Sequence, residues 1–534
     1  MRALCTTFSL ALALAAASAA AADPATNNRI ADAALNRGQV VETAAHLTDQ
    51  IGGRLTNSPA MREAERWTQE RFRAWDLSNV RAEGFNFGRG WWIEAASVRM
   101  IAPRPLTLRS IPIAWTPATN GAVTAPVIVA PMKKERDFAE WRGKLAGKIV
   151  LVSYPEEPND DTEAPFKRLS GDEIGKLDEY RQPVFDPTSM ETAIERREYS
   201  RKLDAFLKAE GALAWARMSI RGNGLVHGEG YNHQVGATPA LPAVELAAED
   251  YRRLARLAKI GPVSLEIDSR VRFEDSDTQA YNIFAEIRGS DPRAGYVMAG
   301  AHLDSWLAGD GAADNAAGSA VVMEAARILA SLGARPKRTI RFALWSGEEQ
   351  GLLGSYAYLD KYIATRPANA DPRAAILGPR SRAQSWPLTP RPGYRELVAY
   401  FNIDNGSGKL RGIHAEGNFA AVPMLREWLA PFGSMGATAV VAQPTGGTDH
   451  VPIVQVGLPA FQFIQDPLDY NSRVHHTSLD TFDHLRAQDL RQAAIVLASV
   501  LMSAADSDTP ISPNVLPTRP TATNPFAYED PANK

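Results

Sequence analysis

From Gln279 onward the chain alternates short apolar runs with helical patterns, and this alternation constrains the fold more than any other feature of the 534 residues. The runs at 281–287, 296–301, 339–345, 397–403 and 460–464 read as strands, and 315–332 and 487–505 carry the apolar period of helices. Strands separated by helices build a mostly parallel sheet covered on both faces. Ligands in such sheets gather beyond the carboxyl ends of the strands.

The rest of the chain divides around this unit. Residues 40–85 read as a first piece of the same domain: Gly52-Gly53-Arg54-Leu55-Thr56 makes a turn, Asn57 or Ser58 caps, and Pro59 starts a helix with Ala64, Trp67, Phe72 and Trp75 on one face. From 106 to 270 short β-like runs dominate, with one helix at 201–211, which reads as an inserted β-rich domain. Within it the polar, proline-bearing stretch 156–195 is read as a surface excursion without chemistry. The expected division is a leader at 1–22, the main domain at 23–105 and 271–505, the insert at 106–270 and a flexible tail at 506–534.

The leader is read from Arg2 followed by an alanine- and leucine-rich run ending at Ala22-Asp23, the pattern of a signal peptide, so the protein is expected to be secreted or periplasmic. Cys5, the single cysteine, lies inside it. The exported chain would have no thiol, so disulfides are excluded and any metal site must use His, Asp and Glu. A net charge of −3 gives no support for nucleic-acid or anionic-lipid binding. No later stretch is apolar enough to span a bilayer.

Each strand end delivers a hard ligand. His302-Leu-Asp304-Ser-Trp306 follows one strand, and Asp314 stands in Gly311-Ala-Ala-Asp314-Asn315-Ala-Ala-Gly318 at the mouth of a helix. Glu348 and Glu349 follow the next strand, Asp404 another, and His475-His476-Thr477 comes after the last. Two imidazoles and three carboxylates form a shell for two divalent cations with one carboxylate shared. Two dications carry +4, while three carboxylates and a hydroxide carry −4, so the buried cluster is neutral. The ligand set suits Zn2+, and Co2+ or Mn2+ are compatible with it.

These motifs resemble those of the M28 zinc peptidases: H-x-D, G-x-x-D-N-x-x-G, S-G-E-E-x-G-x-x-G-S, a strand-end Asp and a final H-T. His302 to Trp306, Arg335-Pro-Lys-Arg-Thr339 and the His475-His476 pair are most similar to the carboxypeptidase Q branch. The resemblance implies a three-layer α/β/α catalytic domain with a mixed, mostly parallel central sheet of zinc-aminopeptidase type, and an insert similar to a protease-associated domain. It further implies that His302, Asp314 and Asp404 hold one zinc and Asp314, Glu349 and His476 the other. Glu348 is then the general acid/base, and Asp304 receives the second N–H of His302. The expected activity is that of a secreted exopeptidase removing terminal residues or splitting short peptides, with a homodimer admitted. The readings set against it are a non-catalytic receptor on the same fold and a glutaminyl-cyclase-like transferase with one metal.

Some positions stay open at this point. His450, in Gly446-Gly-Thr-Asp449-His450, is a candidate oxyanion donor set against a structural role. His475 competes with His476, whose pairing with Thr477 favours it, and Asp310 with Asp314, which has the following Asn. The segment 376–392 is expected as a loop near the cleft, and Arg380, Arg382 and Arg473 are candidate contacts for a substrate carboxylate. His46, His227, His233, His414 and His484 are read as structural or surface residues, and Trp91-Trp92 as packing between domains.

Overall fold

A computed structural model describes residues 22–156, 166–180 and 188–515 of the protein. Residues 1–21 of the expected signal peptide and residues 516–534 of the expected tail lie outside the described residues. The main sheet has eight strands in the order Ser78–Asn86, Gln279–Ile287, Thr339–Trp345, Tyr296–His302, Leu397–Asn402, Ala460–Gln465, Leu410–His414, Ala439–Val441. The central neighbours run parallel, and antiparallel pairings lie toward the two edges.

Side chains alternate across this sheet and are buried on both faces. Val297, Ala299 and Ala301 pack with helices Ala317–Ser331 and Ala487–Asp506, while Tyr296 and Met298 pack on the other face with Tyr356, Tyr358 and Ile453. That makes three layers, as the apolar runs implied. Close packing explains Gly300, where a Cβ would stand 2.5 Å from the Tyr400 hydroxyl. Helix Pro59–Ala74 forms where expected, with Ser58 as its cap accepting the Met61 N–H at 3.2 Å.

A second eight-stranded sheet begins earlier than the sequence suggested. Its long strands Gly90–Ala102 and Ser264–Glu274 pair antiparallel, so residues assigned to the first part of the main domain belong to this sheet. The helix read at 201–211 starts at Ser189 and runs to Ala209, which moves the end of the presumed excursion into regular structure. Among the described residues of that excursion, Lys167 bridges Leu468, and Arg168 pairs with buried Asp466 and with Asp489. The described start of the tail also packs, with Ile511 buried and the Ser512 carbonyl accepting from Asn418. No helix among the described residues is long and apolar enough to cross a membrane.

Candidate active site

Register gathers the ligands. His302 ends its strand level with Trp345, and Gly300 lies level with Asn402, so the turns carrying Glu348 and Asp404 open at the same edge of the sheet. His302 is buried, and its Nε2 stands 3.1 Å from Asp314 Oδ1 and 3.2 Å from Asp404 Oδ1. The other oxygen of Asp314 faces His476 Nε2 at 3.2 Å, and that nitrogen is 2.9 Å from Glu349 Oε2. One carboxylate therefore presents an oxygen to each of two imidazoles.

Local structure explains why these residues converge. Asp314 departs from helical geometry (φ −126°, ψ 86°) just before helix Ala317–Ser331, and its N–H and that of Ala313 donate to Asp480. Asn315 spans to the next strand end, donating to the Ile403 carbonyl at 2.9 Å while accepting from Gly318 N–H. A Cβ on Gly318 would stand 2.3 Å from the Asn315 amide oxygen, which accounts for the glycine in the motif.

The neighbouring glutamates diverge. Glu349 turns to His476, while Glu348 lies with His302 and Asp404. Their backbone N–H groups point at the Asp304 carboxylate, 3.3 and 3.4 Å away, and Thr56 also donates to it at 2.9 Å. Asp304 thus differs from expectation: its backbone carbonyl, not its carboxylate, takes the Nδ1–H of His302 at 2.9 Å. A carboxylate already filled by three donors is better placed to hold the Glu348–Glu349 turn. The residue still fixes the His302 tautomer, but through the main chain.

The electrostatics are those of crowded acids. Burial raises the Glu348 carboxyl well above its usual range, with Asp404, Asp449 and Glu349 adding to the push against the pull of His302. Burial likewise brings Glu349 to about 7 and buried Asp449 to about 8. For His302, burial favours the neutral ring, but Asp404, Glu348 and Asp314 outweigh it and hold the ring protonated. Asp314 Oδ2 and Glu349 Oε1 are buried without a hydrogen-bond partner. Two buried carboxylate oxygens without partners, beside imidazoles that the neighbouring acids hold protonated, fit a site where cations displace those protons. Hard oxygen and imidazole donors, with no thiolate, match that use.

The rivals are separated by distance. His475 forms a metal-competent group with Asp314 and His476, its Nε2 3.6 Å from Asp314 Oδ2 and its ring stacked on His476, whose own ring reaches two carboxylates more closely. Asp310 lies outside the metal-competent groups found among the described residues. His450 is fully buried with Nε2 3.3 Å from Glu416, and it does not line the cleft, so it is not placed to donate to an oxyanion there. Arg382 is paired with Asp360, and Arg473 does not line the cleft, whereas Arg380 does. His46 stacks on Trp67, His227 meets Glu245, His233 stacks on Phe87, His414 meets the Gln443 carbonyl and His484 meets Asp469, all away from the cluster. Trp91 is buried between the sheets with Leu55, Trp115 and Trp306.

The cleft above the cluster has a volume of about 440 Å³ and includes residues that the sequence reading missed. Arg197 comes from helix Ser189–Ala209, its guanidinium 3.9 Å over the ring of Tyr231, which also lines the cleft. Glu229 Oε1 accepts the Nδ1–H of His476 at 2.8 Å. Beneath the site, buried Arg54 donates to the carbonyls of Leu47, Gly52, Leu303, Asp310 and Gly311. No local motif marks these residues; each acquires its role by docking.

A three-layer sheet whose strand ends collect acids and imidazoles around a shared carboxylate defines a metal-dependent hydrolase of the peptidase class. Residues 282–501 match the sequence profile of Peptidase family M28. Carboxypeptidase Q of Bos taurus is 26% identical over 472 residues, covering 87% of this chain and 85% of that one. Among solved structures, the peptidase M28 precursor from Shewanella amazonensis SB2B is similar with a TM-score of 0.65 and 23% identity, over 93% of this chain and 99% of that one. BSAP, a zinc aminopeptidase from Bacillus subtilis, has a TM-score of 0.56 at 18% identity, over 89% and 97% of the two chains. These likenesses establish the fold.

Proposed function

We propose that the protein is a secreted or periplasmic exopeptidase using two Zn2+ ions, with His302, Asp314 and Asp404 holding one and Asp314, Glu349 and His476 the other. The observation that carries this reading is the division of Asp314, one oxygen toward His302 and the other toward His476. Zinc is favoured by the nitrogen and oxygen donor set and by the description of BSAP as a zinc aminopeptidase. Bound there, the cations would acidify a water molecule and polarise a peptide carbonyl.

The chain's own groups do the remainder. Glu348 takes the proton of the attacking water and returns it to the departing amine, a task suited to a carboxyl whose proton affinity is raised by burial. His302 and His476 present Nε2 because their Nδ1–H groups are engaged by Asp304 and Glu229. Asp304 holds the turn that keeps Glu348 and Glu349 apart. The residues around 106–270 are read as an inserted protease-associated-like domain, and 1–22 as the export signal. The relatives' names, carboxypeptidase and aminopeptidase, point to opposite ends of a peptide. Hydrolysis of free, N-blocked and C-blocked dipeptides decides between them.

The reading is tested by Glu348→Gln beside Asp314→Ala. The first should keep two equivalents of zinc and lose turnover by about 100-fold or more, in line with a general base. The second should lose metal as well. Normal hydrolysis by Glu348→Gln would remove Glu348 from its assigned role.

A further inference from the structure

Glu229 is far from the main domain's ligands in sequence, yet its carboxylate is hydrogen-bonded to one of them. It sits in Gly228-Glu229-Gly230, a stretch held tightly against the second sheet. Gly228 has φ +71°, a Cβ on Gly230 would stand 2.2 Å from the Ala114 carbonyl oxygen, and the Gly228 carbonyl accepts from Ala114 N–H at 2.9 Å. The Glu229 carbonyl accepts from Arg217, itself paired with buried Glu245. The side chain is oriented too: Tyr231 donates its hydroxyl hydrogen to Oε2 at 3.3 Å, and Oε1 faces His476 Nδ1 at 2.8 Å.

The two imidazoles are therefore supported in different ways. His302 gives its Nδ1–H to a main-chain carbonyl two residues away. His476 gives its own to a side chain arriving from the second sheet's connections, 247 residues away in sequence. The tautomer and tilt of His476, which decide where its Nε2 points relative to Glu349 and Asp314, depend on how that region is seated.

We propose that Glu229 is a positioning residue that sets the zinc affinity of the Asp314–Glu349–His476 position and leaves the His302–Asp314–Asp404 position untouched. This rests on the two-cation reading above. It makes the second sheet a contributor to the metal centre in addition to a wall of the cleft. Loss of an outer hydrogen-bond partner of a metal-binding histidine typically costs 10–100-fold in affinity, and here the loss falls on one equivalent of two.

The test is titration of the metal-free full chain with Zn2+ against a chromophoric chelator, for the wild type, Glu229→Gln and Glu229→Ala. The wild type should bind two equivalents. Glu229→Ala should bind one as before and the other about 10–100-fold more weakly, and Glu229→Gln, which keeps an acceptor oxygen, should fall between. Lost activity should return with excess zinc and an unchanged KM, which a general folding defect would not allow. Two equivalents at wild-type affinity in both variants, or equal weakening of both, overturns the assignment of Glu229 alone. A wild type that binds fewer than two removes the two-cation reading, and this inference with it. Should the alanine variant fail to fold, the glutamine variant carries the same decision.

Discussion

Asp480 grips Asp314 by its backbone. Its Oδ1 accepts the Ala313 N–H at 2.6 Å and its Oδ2 the Asp314 N–H at 3.1 Å, although Asp480 lies 166 residues further along the chain. The shared carboxylate at the centre of the site is thus aimed by a second carboxylate that does not join the cluster. Asp480→Ala should lower zinc affinity by about 10–100-fold. The two buried N–H groups left without acceptors should also cost about 1–3 kcal/mol each. Metal titration and urea unfolding of the same variant separate the two effects.

Arg54 fills five carbonyl acceptors around the Leu47, Leu303 and Gly311 turns while fully buried. Burial lowers its pKa to about 10, with Asp480, Asp304 and Asp310 opposing, so it stays charged at neutral pH. Lysine cannot reproduce the planar fork. Arg54→Lys should destabilise the protein by about 3 kcal/mol or more, read as a lower melting temperature in calorimetry.

Glu65 makes stability fall as pH rises from weakly acid to neutral. Burial raises its pKa from 4.5 to about 7 against the pull of Arg62. The folded state therefore keeps a proton that the unfolded chain releases above 4.5. Stability is full below pH 4.5 and declines as pH rises to about 7, by about 3 kcal/mol at 1.36 kcal/mol per unit. Glu65→Gln should gain on the wild type between pH 5 and pH 8. Equal urea midpoint differences at the two pH values would contradict this.

His233 acts at the acid end. Burial against Phe87 and Trp115 lowers its pKa from 6.5 to about 3, with Arg197 adding to the shift. The folded ring stays neutral while the unfolded ring takes up a proton. The stability contribution is complete above pH 6.5 and is lost as pH falls toward 3, up to about 5 kcal/mol. His233→Phe should be less acid-sensitive than the wild type when melting temperatures at pH 4 and pH 8 are compared.

The sequence by itself determined which side chains stand at the strand ends, because a strand of five or more apolar residues announces its own boundary. His302, Glu348, Glu349 and Asp404 were legible for that reason, while Asp314 at the mouth of a helix and His476 beyond the last strand were picked out by the motifs that resemble those of the M28 peptidases. It also determined the covered, mostly parallel sheet and the helices Pro59–Ala74 and Ala487–Asp506. Short edge strands such as Leu410–His414 and Ala439–Val441 were not legible, since their apolar runs are too brief to stand out and their strand state comes from pairing. The same holds for Ser78–Asn86, half exposed at the other edge.

Only the tertiary structure decided what surrounds the ligands. It gave Asp304's carboxylate to the Glu348–Glu349 turn, removed His450 from the cleft, and brought Arg54, Glu229, Arg197 and Asp480 to the site. A hydrogen bond is decided by a few tenths of an ångström between groups hundreds of residues apart. Spacing along a chain carries no record of that distance until the sheets have docked.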